Sequence, residues 1–166
     1  MKVSLELQDY AQEALKQVEA YRKRSGREEL TIVIDGMCAS GKTTLGELFL
    51  QVYGGNLFHM DDFFLQPHQR NAERLRQPGG NVDYERFREE VLNHLKDKEG
   101  FSYGIYDCRQ QRICRQVKVE QAAVNIMEGS YSAHPYFEEM ADLYFFLEIE
   151  KEEQIRRIRN RNGEAM

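Results

Sequence analysis

The chain has no tryptophan, only three prolines and only three cysteines in 166 residues. It has no apolar run near the roughly 20 residues that span a bilayer. Its amino terminus lacks the apolar core of a secretory signal. Cys38, Cys108 and Cys114 are odd in number and show no metal-ligand spacing. That argues against a disulfide framework or a zinc site, and for a reduced, cytoplasmic protein whose two later cysteines are small, partly buried side chains. An excess of positive charge is also missing. The net charge of −5 excludes broad electrostatic capture of nucleic acid or of an anionic membrane. There are no internal repeats and no low-complexity tract. What is present is ordinary for a globular domain, with 41% hydrophobic and 31% charged residues, and the length suits one domain over 1–166.

Against that plain background one segment stands out. Gly36-Met37-Cys38-Ala39-Ser40-Gly41-Lys42-Thr43 fits the phosphate-binding pattern G-x-x-x-x-G-K-[ST] without a mismatch. The run before it, Leu30 to Asp35, is β-branched and apolar and reads as a short buried strand. The run after it, Thr44 to Gln51, reads as a helix. In this context the loop turns its backbone N–H groups inward around phosphate oxygens, and the helix N-terminus adds partial positive charge. The predicted phosphate contacts are Gly36, Ala39, Ser40, Gly41, Lys42, Thr43 and Thr44. Lys42 would reach the β- and γ-phosphates of ATP, and the Thr43 hydroxyl would be a ligand of Mg²⁺.

Residues 4–24 carry Leu7, Tyr10, Ala11, Ala14, Leu15, Val18 and Tyr21 at helical spacing, which predicts a helical extension over 1–26. A helix over 43–53 and a strand over 56–60, ending at Asp61-Asp62, follow the loop. Residues 66–81 are polar, with two prolines, Gly79-Gly80 and three arginines, and read as a long mobile loop. Residues 83–98 place Tyr84, Phe87, Val91, Leu92 and Leu95 on one face of an amphipathic helix. Strands are predicted at 101–106, 115–120, 122–127 and 143–149, a short helix at 135–140 and a basic helix at 151–161. The alternation predicts a parallel α/β sheet, whose ligands bind at the carboxyl ends of its strands. Asp35-Gly36, Asp61-Asp62, Tyr106-Asp107 and Glu128-Gly129 each close a predicted strand, so parallel strands would bring all four to one edge.

Four motifs together resemble the uridine kinase-like group of P-loop kinases, which includes nicotinamide riboside kinases and, more distantly, phosphoribulokinase. They are Gly36 to Thr44, His59-Met60-Asp61-Asp62-Phe63-Phe64, the stretch Gly79 to Phe87, and Glu128-Gly129-Ser130-Tyr131 followed by the Arg-rich helix 156–161. The resemblance implies a P-loop NTPase three-layer sandwich with a central, mostly parallel sheet. The N-terminal helix is then an addition, and 151–166 the start of a lid. It also implies transfer of the γ-phosphate of ATP, with Mg²⁺, to a hydroxyl of a nucleoside-like small molecule. Asp61 would be the base facing that hydroxyl, and Asp62 a water-mediated Mg²⁺ ligand or a support for Asp61. Asp83 would grip vicinal ribose hydroxyls, though it reads equally well as the N-cap of the helix that follows it. Tyr106 and Phe64 would lie beside the substrate. Glu128 would hold a Mg²⁺ water as a Walker-B acid. Arg157 and Arg161, four residues apart, would close over the transferring phosphate, whereas Arg109, Arg112 and Arg115 read as surface charges.

The chain departs from that family in two places. Uridine kinases carry a histidine for pyrimidine recognition shortly after the Tyr-Asp pair, and Cys108 to Gln111 contains none, which speaks against uridine itself. Nicotinamide riboside, pantothenate or a sugar phosphate are alternative acceptors, and a catalytically weak nucleotide-binding module is the alternative of another class. No Asn-Lys-x-Asp motif for reading guanine is present. The family also continues past the lid helix into another strand and helix, whereas this sequence ends at Met166. The expectation is an incomplete lid and an exposed edge at strand 143–149, which gives either a homodimer contact near that edge or low stability.

Overall fold

The apolar run before the glycine loop forms a strand at the centre of a sheet, β1 (Leu30–Gly36). A computed structural model of the chain describes residues 5–162, with side chains from Tyr10 to Arg161. The other strands are β2 (Asn56–His59), β3 (Phe101–Asp107), β4 (Arg112–Val119), β5 (Val124–Glu128) and β6 (Leu143–Leu147). β2, β5, β1 and β6 form one sheet in that order, and every pairing in it is parallel. The helices are α1 (Leu5–Ser25), α2 (Lys42–Tyr53), α3 (Ala72–Leu75), α4 (Tyr84–Glu90) and α5 (Lys151–Asn162). Among the described residues no helix is long and apolar enough to cross a membrane.

Alternation along β1 divides the core in two. Leu30, Ile32 and Ile34 face one side, where they pack with Ala14 and Val18 of α1, Leu45 and Phe49 of α2, and Phe145 and Leu147 of β6. Val33 faces the other side, with Phe58, Phe63, Phe87, Tyr103 and Met127. Every residue of β5 is buried, as a parallel strand covered on both faces should be. Each large apolar side chain so buried stabilises the fold by about 1.5–3 kcal/mol. The helix-spaced positions of α1 contribute as expected through Ala14 and Val18, with Ala11, Leu15 and Tyr21 at the margin, while Tyr10 is exposed. Leu7 lies outside the residues whose side chains are described. The second apolar layer stops short of β6, an edge strand, and so leaves Tyr144 and Phe146 exposed, the latter 63%.

Several expectations need correction. β3 and β4 form a separate antiparallel hairpin, so Tyr106-Asp107 does not end a strand of the parallel sheet. The helix expected over 83–98 stops at Glu90. Val91 leaves helical geometry, and the chain continues as a 3₁₀ turn at Leu92–His94. Its apolar face survives the change: Tyr84, Phe87 and Val91 are buried, and Leu92 and Leu95 pack against them. The helix expected at 135–140 is a 3₁₀ turn at Pro135–Phe137. Residues 66–81 are not featureless, because they hold a 3₁₀ turn at Pro67–Gln69 and the single turn α3. Their polar side chains are spent on the rest of the chain. Arg74 donates to both oxygens of Glu85, at 2.6 and 2.7 Å, and to the Val82 carbonyl, with its guanidinium 3.8 Å from the centre of the Tyr84 ring. Cys108 and Cys114 are exposed, as is Cys38, and none is in a disulfide.

Arg86 joins the hairpin to the sheet layer. It is 8% exposed, and its guanidinium donates to the carbonyls of Gly104 and Asp62, each at 2.7 Å, and to Glu90 at 3.1 Å. Arg86→Met should therefore lose about 3–5 kcal/mol, the usual cost of breaking a buried ion pair on one side, measured as a lower urea midpoint at constant slope. The Arg74–Glu85 pair gives a pH signature. Its hydrogen bonds hold the Glu85 carboxyl below the ordinary value of 4.5. A depressed carboxylate stabilises the fold above its unfolded pKa and loses that contribution as pH falls through its folded one. The stability difference between wild type and Glu85→Gln should thus be flat from neutral pH down to about 5.5 and shrink below about 4.5. Chemical denaturation across that range checks it.

Candidate active site

Because β1, β2 and β5 run parallel, their carboxyl ends meet on one edge, and the loops leaving them form one cleft. The register fixes who meets whom. Glu128 lies opposite Ile34 on one side and His59 on the other. The glycine loop begins where β1 runs closest to β6. A Cβ on Gly36 would stand 2.1 Å from the Leu147 carbonyl oxygen, and φ there is +139°. Gly129 is similarly enforced, at φ +142° with Met60 in the way.

Within the loop, Lys42 folds back so that Nζ donates to the carbonyls of Gly36 at 3.0 Å and Met37 at 2.8 Å. No side chain caps the start of α2 at Gly41, so its first N–H groups have no partner within the helix. The Ser40 hydroxyl is buried and has no protein partner. Orphan donors gathered around a buried ammonium fit a bound phosphate chain. α5 lies against the loop: Gln154 donates to the Cys38 carbonyl at 2.9 Å and Arg157 to the Ala39 carbonyl at 3.3 Å. Arg157 also binds Glu153 at 2.7 Å. Arg161, one turn further, is exposed at the far end of the helix, and the contacts between α5 and the loop run through the two earlier residues.

Glu128 is buried, and its Oε1 accepts from the Thr43 hydroxyl at 3.1 Å and from His59 Nδ1 at 2.6 Å. The hydrogen bond to Glu128 raises the His59 pKa, against a smaller opposing effect of burial. The sequence reading missed His59, although its place at the end of β2 is the signal that would have found it. Asp61 and Asp62 differ in environment. Asp61 is exposed, whereas Asp62 is half-buried and accepts from the Tyr103 hydroxyl at 3.3 Å. Burial raises the Asp62 pKa, partly countered by the charge of His59 and the Tyr103 bond. Among the described residues no three His, Cys, Asp or Glu side chains cluster closely enough to cage a metal ion. Mg²⁺ needs no such cage, since it keeps several waters and takes one or two carboxylates plus substrate phosphates. Thr43 and Glu128, already in contact, suit that role.

The expected substrate side differs from the sequence reading. Asp83 is 1% exposed and fully engaged: it caps α4 through the Arg86 N–H, accepts from Gln69 at 2.9 Å and lies 3.6 Å from the Arg86 guanidinium. Its capping role is thus realised, and neither oxygen faces open space as a ribose grip would require. Tyr106 is buried, and its hydroxyl accepts from Arg70 at 2.7 Å. Phe64 is half-buried and bridges to Val82. Asp35 was not singled out by sequence, yet its carboxylate accepts from the N–H groups of Gly36, Tyr131 and Ala133 at 2.6, 3.0 and 3.0 Å. It thereby ties the turn after Glu128 to the start of the glycine loop.

Two depressions flank this arrangement. One, of about 1290 Å³, lies at the opposite, amino ends of the strands between Leu30, Thr31, Ala123 and Asp142. It holds none of the converging groups, and ligands of parallel sheets bind at the carboxyl ends. The other, about 690 Å³, opens beside the glycine loop between Ser40, Leu147 and Arg157, with Glu148, Glu150, Glu152 and Glu153 also on its walls.

No protein-family model matches the chain, and no curated protein matches it. Solved structures do. One, described as a possible uridine kinase from Bacillus stearothermophilus, shares 21% identity over 92% of this chain and 87% of its own, with a TM-score of 0.72. A candidate fructose transport system kinase from Silicibacter is 21% identical over 80% of this chain and 71% of its own, at 0.61. D-Glycerate 3-kinase from Cryptococcus neoformans is 21% identical over 78% of this chain and 53% of its own, at 0.52. At this identity the likeness is one of fold, and it agrees with the three-layer α/β arrangement of a central parallel sheet flanked by helices.

Asp35→Ala should leave three backbone donors short of a partner and cost about 1–3 kcal/mol. It should also weaken nucleotide binding, because the turn at Gly129–Ala133 would no longer brace the loop. Thermal unfolding and nucleotide titration on the same variant test both effects.

Proposed function

We propose that this chain is an ATP- and Mg²⁺-dependent kinase that phosphorylates a hydroxyl of a small, nucleoside-like or otherwise hydroxylated metabolite. The observation that carries the reading is the meeting of three groups at the carboxyl edge of the sheet. They are the glycine loop with its buried Lys42, the buried Glu128 bonded to Thr43, and the exposed Asp61. The fold likeness to structures described as small-molecule kinases supports it.

Bound Mg²⁺–ATP supplies the transferable phosphoryl group and part of the charge neutralisation. The chain's own residues do the rest. Lys42, Ser40 and the first N–H groups of α2 hold the phosphate oxygens. Thr43 and Glu128, already in contact, would hold the metal. Arg157, here on Glu153 and the Ala39 carbonyl, would cover the phosphoryl group in transit. Asp61 accepts the proton that the acceptor hydroxyl loses as its oxygen bonds to phosphorus. Asp62, held by Tyr103, keeps the base in place. Arg161 has no role in this arrangement beyond the charge of the helix end.

ADP release measured against a panel of nucleosides, sugars, sugar phosphates and hydroxy acids tests the activity, and release that no acceptor stimulates would refute it. Lys42→Ala should weaken ATP binding and nearly abolish turnover. Asp61→Asn should lower kcat by about 10²–10⁴-fold with ATP affinity nearly intact. A wild-type kcat in the Asn variant would remove Asp61 from the mechanism.

A further inference from the structure

The apolar stripe that seats α1 on the sheet runs on past the core. Ala14 and Val18 are buried against the sheet, and Tyr21 packs at their margin. Tyr10 lies one turn before Ala14 on the same stripe, yet it is 37% exposed and belongs to neither apolar core. Among the described residues its hydroxyl has no hydrogen-bond partner and its ring stacks on no other. An aromatic ring is thus held at a fixed place on a helix without a packing role there.

The direction of α1 decides where that ring goes. At one end the Tyr21 hydroxyl donates to Asp142, just before β6, at 2.9 Å. The helix covers about 16 Å from Tyr21 back to Tyr10, while β6 advances about 13 Å from Leu143 to Leu147. α1 therefore runs antiparallel to β6 and carries Tyr10 to the carboxyl edge. There the ring lines the depression of about 690 Å³ together with Leu147, Ile149 and Ser40. That volume lies within the roughly 300–1,000 Å³ of small-molecule sites. The walls differ in character. Ser40 belongs to the glycine loop, and its buried hydroxyl has no protein partner. Glu148, Glu150 and Glu152, on the chain that leaves β6 and enters α5, are exposed carboxylates, whereas Glu153 is held by Arg156 and Arg157 at 2.6 and 2.7 Å. Carboxylates repel phosphate, so the part of a nucleotide that can border them is its uncharged base.

Resting on the kinase reading above, we infer that Tyr10 is the stacking platform for the base of the phosphate-donor nucleotide. With the phosphates in the glycine loop, the base lies on the Tyr10 ring and against Leu147 and Ile149. Such stacking tolerates any base, because each has a π-face. Tyr10 thus adds affinity for the donor with little choice among bases. Helix α1, an addition before the first strand, becomes a wall of the donor site.

Titration of the full chain with a ligand that has a base and one that has none tests this. Mg²⁺–ATP and Mg²⁺–tripolyphosphate are titrated by calorimetry into the wild type, Tyr10→Ala and Tyr10→Phe. The wild type should bind ATP at least about tenfold more tightly than tripolyphosphate. Tyr10→Ala should weaken ATP binding by about 5–100-fold, which is what stacking one base is worth. Its affinity for tripolyphosphate should stay at the wild-type value, which also shows that the loop is folded. Tyr10→Phe should remain close to wild type with both ligands. The chain has no tryptophan, so Tyr10→Trp places a single reporter at the site, and ATP should quench its emission while tripolyphosphate should not. Wild-type ATP affinity in Tyr10→Ala, equal weakening of both ligands, or emission from Tyr10→Trp that ATP leaves unchanged overturns the inference and leaves the kinase reading intact. If the wild type binds neither ligand, both readings fall.

Discussion

The cleft at the carboxyl edge of the sheet depends on one buried cation. Sheet hydrogen bonds connect β2, β5, β1 and β6, but they do not reach the hairpin or α4. Arg86 does, by donating to Asp62 at the end of β2, to Gly104 on β3 and to Glu90 on its own helix, with its guanidinium 4.4 Å from the centre of the Phe63 ring. Glu90 completes the joint by accepting from the Gly104 N–H at 2.8 Å. A buried charge is costly unless its donors are satisfied; here two donors end on backbone carbonyls and one on Glu90, while Nε is buried without a hydrogen-bond partner and lies 3.6 Å from the Asp83 carboxylate. Asp62 is therefore fixed from two sides, by Arg86 at its carbonyl and by Tyr103 at its carboxylate. Asp61, next to it, is exposed.

Register does for His59 and Glu128 what Arg86 does for Asp62. His59 and Glu128 are paired residues of adjacent parallel strands, so their 2.6 Å contact follows from the pairing itself. A slip of one residue would send alternate side chains to the opposite face and separate both His59 and Thr43 from the carboxylate. Burial of Glu128 is tolerable because two donors meet it there. Asp35 plays the matching part on β1, where its carboxylate converts a strand end into a brace for the turn that follows β5.

The parallel sheet was legible because its strands are short apolar runs closed by Asp-Gly, Asp-Asp or Glu-Gly, and burial on both faces leaves little other reading. The hairpin was legible as two strands, but not as a separate sheet, since nothing in the spacing of 101–106 and 115–120 says which neighbours those strands take. For residues 83–98 the apolar period was right while the backbone was not, because Val91 can leave the helix and still bury its side chain. Asp83 satisfied two sequence readings, and the N–H of Arg86 together with Gln69 occupies it in the structural one. Composition misled most at 66–81. Polar residues suggested mobility, but a polar side chain aimed at a backbone carbonyl is a cross-link, and composition does not reveal its aim.

That segment packs against its neighbours at several points. The Tyr84 ring lies between Arg74, at 3.8 Å, and the stacked ring of His134, at 4.6 Å. His134 accepts from the Tyr136 N–H through Nδ1, which leaves Nε2 to donate to the Pro78 carbonyl at 3.2 Å. Gly79 lies so close to Tyr131 and His134 that a Cβ would crowd both rings. The acceptor-side segment, the turn after Glu128 and, through Asp35, the glycine loop are thus one packed frame. α5 is held differently, by two side chains that donate to loop carbonyls from a mostly exposed helix. Low-stability elements are those with few buried apolar contacts and solvent-exposed hydrogen bonds. By that measure α5 and Arg157 are the least fastened part of this edge, and under the kinase reading proposed above they are what would close over a phosphate.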